Sequence, residues 1–301
     1  MNSLWLSNNK LINNNFIKEI DTSNTSNKTL LETNVCIVGA GIFGLTCAYY
    51  LSNLGYRVTV LEKDKIGEKT TGHTTAKITS QHGLFYSYLA NSYSQKFAQD
   101  YLEANEQAIK NIKNIIDKEK IKCDFEYKNS YVYTTKKEDL KFIKKEQKTI
   151  ENLGFNCEYV TKTGLPFEIE GAICFKNQAQ FHPLKYLNGL CHCIAKNNNE
   201  IYTNSTVFDV QKENDFYITF SNNFNVKSKY VIVATHYPFI NFPGFYFAKM
   251  YQSTSYLIAV DTKKTLFNGM YISATNPILS FRTANYNGKE LLLIGGGEHK
   301  T

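Results

Sequence analysis

The spacing of hydrophobic and polar residues divides the chain into segments with strand or helix periodicity. The apolar run Val35–Val38 ends at Gly39-Ala40-Gly41, which predicts a buried strand followed by a tight turn. A helix is predicted from about Ile42 to Asn53, and a second strand from Tyr56 to Leu61. Together these elements predict a complete βαβ unit of about 30 residues.

Steps of three and four between apolar residues predict further helices. One long amphipathic helix is expected from roughly Leu89 to Glu119, a second through residues 140–153, and a third that begins at Pro183. Short strands around Phe125–Tyr133 are expected between the first two of these helices.

After Asn199 the period changes to an alternation of apolar and polar residues. The run Tyr230–Ala234 is continuously apolar, which favours the middle of a parallel sheet. The other strands are predicted at 207–212, 216–220, 224–226, 252–260, 269–273, 279–283 and 290–294, and the last of them leads into a loop.

Composition narrows the class of protein. Hydrophobic residues make up 43% and charged residues 20% of the 301 residues, as in an ordinary soluble globular protein. No apolar run approaches the ~18–20 residues that span a bilayer. The net charge of +7 comes from lysines mixed with acidic residues on predicted helices, so a solvated helix face is favoured over a nucleic-acid surface. Residues 1–33 are polar and lack an apolar signal core, which predicts a flexible lead-in.

The seven cysteines are scattered along the chain. Their one cluster, Cys191-His192-Cys193, has a spacing typical of neither a zinc site nor an iron–sulfur ligand set, so no metal site is expected. Neighbouring apolar residues at Leu187, Leu190 and Ile194 predict a buried helix face there instead. Reduced thiols of this kind favour a cytoplasmic location.

The strongest chemical signal is the motif Gly39-x-Gly41-x-x-Gly44, placed between a predicted strand and a predicted helix. Gly39 permits the tight turn, Gly41 lets the backbone approach a pyrophosphate, and Gly44 lets helix and strand touch. The helix N-terminus adds unpaired N–H groups that favour an anion. Glu62, about 20 residues downstream, can accept hydrogen bonds from a ribose diol. The pattern predicts a bound dinucleotide, and a glycine-rich turn without a ligand is the alternative.

The residues after Glu62 favour FAD over NAD. An NAD dehydrogenase would continue its sheet at this point, whereas this chain enters a hydroxyl-rich loop at Lys69–Thr79. Such a loop fits a stretch that follows an extended cofactor past its phosphates. The later strand Val231–His236 returns to the same sheet, so a cofactor domain interrupted by a helical insert is predicted, as in flavoproteins.

The segment VCIVGAGIFGLTCAYYLSNLGYRVTVLEKD resembles the FAD fingerprint of the D-amino-acid/glycine oxidase-like superfamily. The run TTGHTTAKITSQHG is similar to a bacterial branch that is usually fused to a C-terminal Rieske iron–sulfur domain. The resemblance implies FAD as cofactor and places a backbone position near Val207 at its adenine side. From the motif and the resemblance together, the predicted cofactor-binding residues are Gly39, Gly41, Ile42, Phe43, Gly44, Glu62, Lys63, Thr70, Thr71, His73, Thr74, Thr75, Ala76, Lys77, Ile78, Val207, Ala234 and Thr235.

The same resemblance implies that relatives continue past Thr301 with a strand and a glycine-rich turn that close over the flavin. The pattern C-x-H … C-x-x-H of a Rieske cluster is also lacking in this sequence. We therefore expect a C-terminally truncated chain, with an incomplete FAD-binding remnant as one alternative. Beside a small-molecule substrate, the expected electron acceptor is either oxygen or, as the resemblance implies, a Rieske-type iron–sulfur partner.

Single residues in these segments have competing interpretations. His73 either contacts the flavin, in some relatives through a covalent bond, or is an ordinary loop histidine. Lys77 and Arg282 are the candidate catalytic residues, the first to offset charge on reduced flavin and the second to point from the substrate-domain sheet toward the re face of the flavin or its surroundings. A solvated lysine and a sheet-edge salt bridge are the respective alternatives. The aromatic residues between Tyr237 and Phe247 line a substrate entrance or pack between domains.

These observations predict an α/β fold with a discontinuous Rossmann-like FAD-binding domain and an antiparallel-sheet substrate domain. The FAD-binding domain is expected at 34–90 and 170–245, and the substrate domain at 91–169 and 246–301. The predicted function is FAD-dependent oxidation of an amine or amino-acid-like C–H bond by hydride transfer to flavin. An FAD oxidoreductase acting on a non-amine substrate is the alternative enzyme.

Overall fold

The computed structural model describes residues 3–7, 16–18, 29–263 and 266–300. The chain forms two compact units. The first comprises residues 1–74, 121–123 and 183–252, and the second comprises 75–120, 124–182 and 253–301. Residues 75–90 and 170–182, which we expected in the FAD-binding domain, belong to the second unit. Residues 121–123 and 246–252, which we expected in the substrate domain, belong to the first.

The first unit is built on a six-stranded sheet whose central strands are parallel. With strands numbered along the chain, its spatial order is β7-β2-β1-β10-β9-β8. Strands β7, β2, β1 and β10 run parallel, and β9 and β8 continue the sheet antiparallel. The strands are β1 (Leu30–Val38), β2 (Val58–Leu61), β7 (Glu200–Tyr202), β8 (Val207–Glu213), β9 (Phe216–Ser221) and β10 (Asn225–Val233). The helices are α1 (Ile42–Asn53), α5 (Pro183–Lys196) and the short α6 (Tyr246–Lys249).

Burial explains why these strands form the centre of a sheet. All four residues of β2 and the last four of β1 are buried, as expected for strands covered on both faces. In the parallel register, Val38 of β1 lies opposite Leu61 of β2 and Val233 of β10. Three neighbouring strands therefore end at the same edge of the sheet, directly before Gly39, Glu62 and Ala234.

The second unit contains an eight-stranded, mainly antiparallel sheet. Its order is β11-β14-β13-β12-β4-β6-β3, β5 pairs with β6, and the pair β12–β4 is parallel. The strands are β3 (Lys77–Ile78), β4 (Glu126–Thr134), β5 (Glu158–Val160), β6 (Gly171–Gln180), β11 (Ser253–Val260), β12 (Met270–Ser273), β13 (Ser280–Tyr286) and β14 (Lys289–Lys300). The helices are α2 (Tyr86–Ser92), α3 (Gln95–Glu119) and α4 (Leu140–Asn152). The predicted fold class, a Rossmann-like domain combined with an antiparallel-sheet domain, is confirmed.

Several predicted elements differ from the structure. The long helix predicted from Leu89 is two helices, because the Ser94 side chain accepts a hydrogen bond from the N–H of Phe97 at 3.0 Å and caps α3. Strand β6, which we did not predict, joins β4 to β3 and thereby brings 171–180 into the second unit. The loop expected after Ile294 is strand instead, since β14 continues to Lys300 opposite β11.

The predicted flexible lead-in is also wrong where the structure describes it. Residues 3–7 form a turn, in which the N–H of Ser7 donates to the carbonyl oxygen of Ser3 at 2.9 Å. Trp5 within this turn is only 1% exposed. Strand β1 begins at Leu30, inside the segment assigned to the lead-in. Residues 1–2, 8–15 and 19–28 lie outside the described residues.

None of the helices in the described ranges is both long and apolar enough to cross a membrane. The Cys191-His192-Cys193 run lies within α5, with both cysteines buried, so the predicted buried helix face is confirmed.

Candidate cofactor-binding site

A cleft of about 900 Å³ lies in the first unit, at the edge where β1, β2 and β10 end. Its wall includes Gly39 after β1, Glu62 after β2 and Ala234 after β10. Ligands of open α/β sheets bind at this carboxyl edge, where the strand connections diverge to opposite sides. Here α1 leads from β1 to β2 on one side, while β10 flanks β1 on the other.

A side chain would meet different surroundings at each of the three glycines of the motif. Gly39 has a φ of +110°, and a Cβ atom there would lie 2.7 Å from the carbonyl oxygen of Ala234. A Cβ atom at Gly44 would lie 1.9 Å from the carbonyl oxygen of Gly39, so α1 can rest on the turn only without a side chain. At Gly41 the nearest atom is the Thr71 hydroxyl, 3.3 Å away, because this position borders the cleft.

The N-terminus of α1 and the turn Thr70–His73 meet at this edge. The N–H of Ile42 points to the Thr71 hydroxyl at 3.4 Å, and Thr70 and Thr71 both line the cleft. The first N–H groups of a helix have no partner within the helix, and its dipole places partial positive charge there. Hydroxyls and N–H groups together form an environment suited to a pyrophosphate.

The carboxylate of Glu62 also lies in the cleft wall. One oxygen accepts a hydrogen bond from the N–H of Ala40 at 2.7 Å, and the other accepts from the N–H of Asp64 at 3.1 Å. An ionised carboxylate has about four acceptor positions, so capacity for a ribose diol remains. Glu62 therefore also stabilises the glycine turn through its hydrogen bond with Ala40, a role that the sequence pattern did not predict.

The cleft is also lined by Val207, Thr235 and Phe239. The Thr235 hydroxyl is buried and has no hydrogen-bond partner among the described residues. A buried polar group without a partner costs free energy, and a polar ligand in the cleft would satisfy it. The glycine turn, the helix N-terminus, the carboxylate and this hydroxyl thus fit a dinucleotide such as FAD.

Most predicted cofactor-binding residues of the first unit border this cleft. The lining residues among them are Gly39, Gly41, Ile42, Phe43, Glu62, Lys63, Thr70, Thr71, Val207, Ala234 and Thr235. Gly44 does not line the cleft but packs against the carbonyl oxygen of Gly39. His73 and Thr74 follow the part of the loop that lines the cleft. The ring nitrogen Nδ1 of His73 lies 2.9 Å from the carbonyl oxygen of Lys69, with the side chain exposed. Its flavin contact stays a prediction.

The predicted residues Thr75, Ala76, Lys77 and Ile78 belong to the second unit. There the Lys77 ammonium donates hydrogen bonds to the carbonyl oxygen of Tyr271 and to the Ser280 hydroxyl, each at 2.7 Å. Burial, assisted by the nearby positive charge of Arg282, lowers the pKa of Lys77 to about 7. The amine is therefore held in place by the sheet, which corrects the alternative of a solvated lysine.

Arg282 is buried on β13 and acts as a clamp for backbone carbonyls. Its guanidinium donates to the carbonyl oxygens of Thr75 at 3.0 Å, Ala76 at 2.8 Å and Phe181 at 3.3 Å. Burial lowers the pKa of Arg282 to about 10. Through these contacts Arg282 has a structural role, because it connects β13 to the residues at the start of β3. The alternative interpretation of Arg282 was a sheet-edge salt bridge, whereas these hydrogen-bond partners are backbone carbonyl oxygens.

The sequence did not predict one feature near the cleft. The turn at residues 3–7 contacts the loop that follows Thr71, and a lone tryptophan in a polar segment was the one available signal. Of the aromatic residues after β10, Tyr237 and Phe239 border the cleft. Phe242, Phe245 and Phe247 are largely exposed.

A parallel sheet whose glycine turn, helix N-terminus and acidic residue converge at one edge defines a dinucleotide-binding protein of the Rossmann type. The chain belongs to the FAD dependent oxidoreductase family DAO, whose model matches residues 34–301. The predicted family is thereby confirmed, and FAD is confirmed as the cofactor of that family.

Known proteins support this assignment. A protein of Bacillus subtilis (strain 168) named as a Rieske 2Fe-2S iron-sulfur protein, YhfW, is 35% identical over 270 residues, which cover 90% of this chain and 53% of the relative. Gamma-glutamylputrescine oxidoreductase of Escherichia coli (strain K12) is 25% identical over 71% of this chain and 50% of its own length. L-proline dehydrogenase from P. horikoshii shares the fold, with a TM-score of 0.71 at 17% identity over 90% of this chain and 71% of that chain. The chain spans about half the length of the curated relatives it matches.

Proposed function

We propose that this chain is the flavin-binding part of an oxidoreductase that oxidises a C–H bond next to an amine nitrogen. The observation that carries the proposal is the cleft at the ends of β1, β2 and β10, with its glycine turn and Glu62. Bound FAD supplies the two-electron acceptor for a hydride from the substrate carbon. The substrate carbon would lose the hydride with both bonding electrons, and the nitrogen lone pair would form the C=N bond, which leaves a cationic iminium product.

The chain's own residues have separate duties in this proposal. Gly41 and the α1 N-terminus hold the pyrophosphate, Glu62 holds the ribose, and the Thr235 hydroxyl gains a polar partner. Lys77 is the candidate catalytic residue, because a buried amine with a pKa near 7 exists in both charge states at neutral pH. Arg282 is the weaker candidate, since its N–H groups already serve carbonyl oxygens.

Names of relatives support an amine substrate. Gamma-glutamylputrescine oxidoreductase and L-proline dehydrogenase both act, by name, on compounds with an amine nitrogen. A Rieske-type iron–sulfur protein is the proposed electron acceptor, supported by the name of the Bacillus subtilis relative.

The first test measures cofactor binding. The purified chain should show the absorbance of oxidised flavin, or acquire it on incubation with FAD. Glu62→Gln should weaken FAD binding by about 1–3 kcal/mol, because charge-assisted hydrogen bonds are lost. Glu32→Gln, on the exposed part of β1, is the matched control. Tight NAD binding without flavin, or equal FAD affinity in both variants, contradicts this site.

The second test measures the substrate class. FAD-loaded protein, mixed anaerobically with a panel of primary amines, secondary amines and amino acids, should lose its visible flavin absorbance with at least one of them. Alcohols and 2-hydroxy acids form the comparison panel. Bleaching by an alcohol alone would assign a non-amine substrate.

A further inference from the structure

The structure assigns a positioning duty to the N-terminal turn at residues 3–7. We infer that this turn holds the loop Thr70–Thr74 in the conformation that binds FAD, although the turn itself does not line the cleft. The inference rests on the proposed function, since it concerns affinity for the same cofactor.

The turn contacts the loop through side chains that reach two backbone carbonyls. The indole N–H of Trp5 donates to the carbonyl oxygen of Thr74 at 2.7 Å, and the Ser3 hydroxyl donates to that of Gly72. Ser3 also accepts a hydrogen bond from the N–H of Trp5 at 3.2 Å. Both contacts bridge 69 positions of sequence, so they fix the loop against a distant part of the chain.

Packing adds to these hydrogen bonds. Trp5 is almost fully buried. A Cβ atom at Gly72 would lie 3.1 Å from the Leu6 side chain and 2.3 Å from the carbonyl oxygen of Gly67. Gly72 is therefore enclosed between Leu6 and its own loop, which leaves the loop little room to move.

The fixed loop is the one that completes the cleft. Thr70 and Thr71 line it, and the Thr71 hydroxyl lies 3.4 Å from the N–H of Ile42 at the start of α1. Thr71 is one residue before the carbonyl held by Ser3 and three before the carbonyl held by Trp5. Loss of these contacts should release Thr71 from the glycine turn, and a loop that must be ordered on binding lowers affinity.

Three variants separate positioning from general stability. Trp5→Ala removes the packing and the hydrogen bond, Trp5→Phe keeps an aromatic ring without the N–H, and Ser3→Ala removes only the hydroxyl. Ile194→Ala, a buried truncation on α5 away from the cleft, is the matched control for a destabilised first unit.

The measurements are the FAD dissociation constant and hydrogen exchange of the apoprotein. Trp5 is the single tryptophan, so FAD binding to wild type, Ser3→Ala and Ile194→Ala can be followed by the quenching of tryptophan fluorescence. For the Trp5 variants, which lack tryptophan, the FAD dissociation constant is measured by flavin fluorescence and equilibrium dialysis. We expect the dissociation constant to rise about tenfold in Trp5→Phe and Ser3→Ala, since each loses the hydrogen bond that its side chain donates to the loop. Trp5→Ala should show a larger rise, and Ile194→Ala should bind as wild type does.

Exchange at the amides of residues 70–74 should accelerate in the Trp5 and Ser3 variants without FAD. Wild-type affinity in Trp5→Phe and Ser3→Ala, or an equal loss in Ile194→Ala, overturns the positioning duty. A wild-type chain that binds no FAD contradicts the proposed function instead, and the exchange measurement on the apoprotein still decides whether the turn holds the loop.

Discussion

Gly41 and Gly44 belong to one motif but should respond differently to the same substitution. Gly44→Ala places a Cβ atom 1.9 Å from the carbonyl oxygen of Gly39, so α1 must move away from β1 and the first unit should lose stability. Gly41 has an ordinary extended backbone, and a methyl group there meets only the Thr71 hydroxyl at 3.3 Å. Gly41→Ala should therefore leave the melting temperature of the apoprotein nearly unchanged and weaken FAD binding. Thermal unfolding and FAD titration of both variants check this pair, and the opposite pattern contradicts the assignment of Gly41 to the cleft.

Lys77 should make stability depend on pH. Its pKa in the folded protein is about 7, below the ordinary value of 10.5, so between these values the unfolded chain binds a proton that the folded chain does not. Stability should therefore rise with pH from 7 to 10.5, by about 1.4 kcal/mol per pH unit from this group, and the contribution is constant below 7.

Lys77→Met should remove that slope. From urea unfolding at pH 7 and pH 9, we expect wild type to gain about 2–3 kcal/mol more than Lys77→Met over this interval. Lys144→Met, an exposed position on α4, controls for loss of one lysine. Parallel pH profiles for wild type and Lys77→Met would show that the amine is protonated in the folded protein at both pH values.

At the level of elements, the separation of α2 from α3 depends on a local cap. The Ser94 side chain accepts from the N–H of Phe97, and this bond satisfies one free donor at the start of a 25-residue helix. Ser94→Ala should lower the free energy of unfolding by about 1 kcal/mol. Ser92→Ala, at the exposed end of α2, is the control, and its midpoint in urea should stay close to that of wild type. Equal midpoints for both variants would mean that packing, not the cap, sets the start of α3.

For the whole molecule, cofactor binding should protect a defined set of segments. FAD should slow hydrogen exchange at 39–44, 62–71 and 234–235, because these segments form the cleft of the first unit. FMN lacks the adenosine half that Glu62 is proposed to hold, so it should protect these segments far less at equal concentration. Equal protection by FMN would place the main contacts elsewhere.

Local signals in the sequence were sufficient to predict the cofactor cleft. The motif Gly39-x-Gly41-x-x-Gly44, the strand before it and Glu62 after it lie within one βαβ unit, so their relation depends on short-range geometry alone. The structure confirms that unit and brings the predicted strand ending at Ala234 to the same edge. A parallel neighbour of this kind was predictable because the run is continuously apolar.

The remaining features depended on tertiary structure because their partners are distant in sequence. Strand β6 carries no clear alternation, and it forms because β4 and β3 flank it on both sides. Arg282 binds carbonyl oxygens about 100 to 200 positions away, so its clamp duty has no local signature. Trp5 lies in a segment whose composition resembles a flexible lead-in, yet the pocket beside Thr74 buries its ring and accepts its N–H. Composition describes the average solubility of a segment, whereas burial of one side chain depends on the surface that the rest of the fold presents to it.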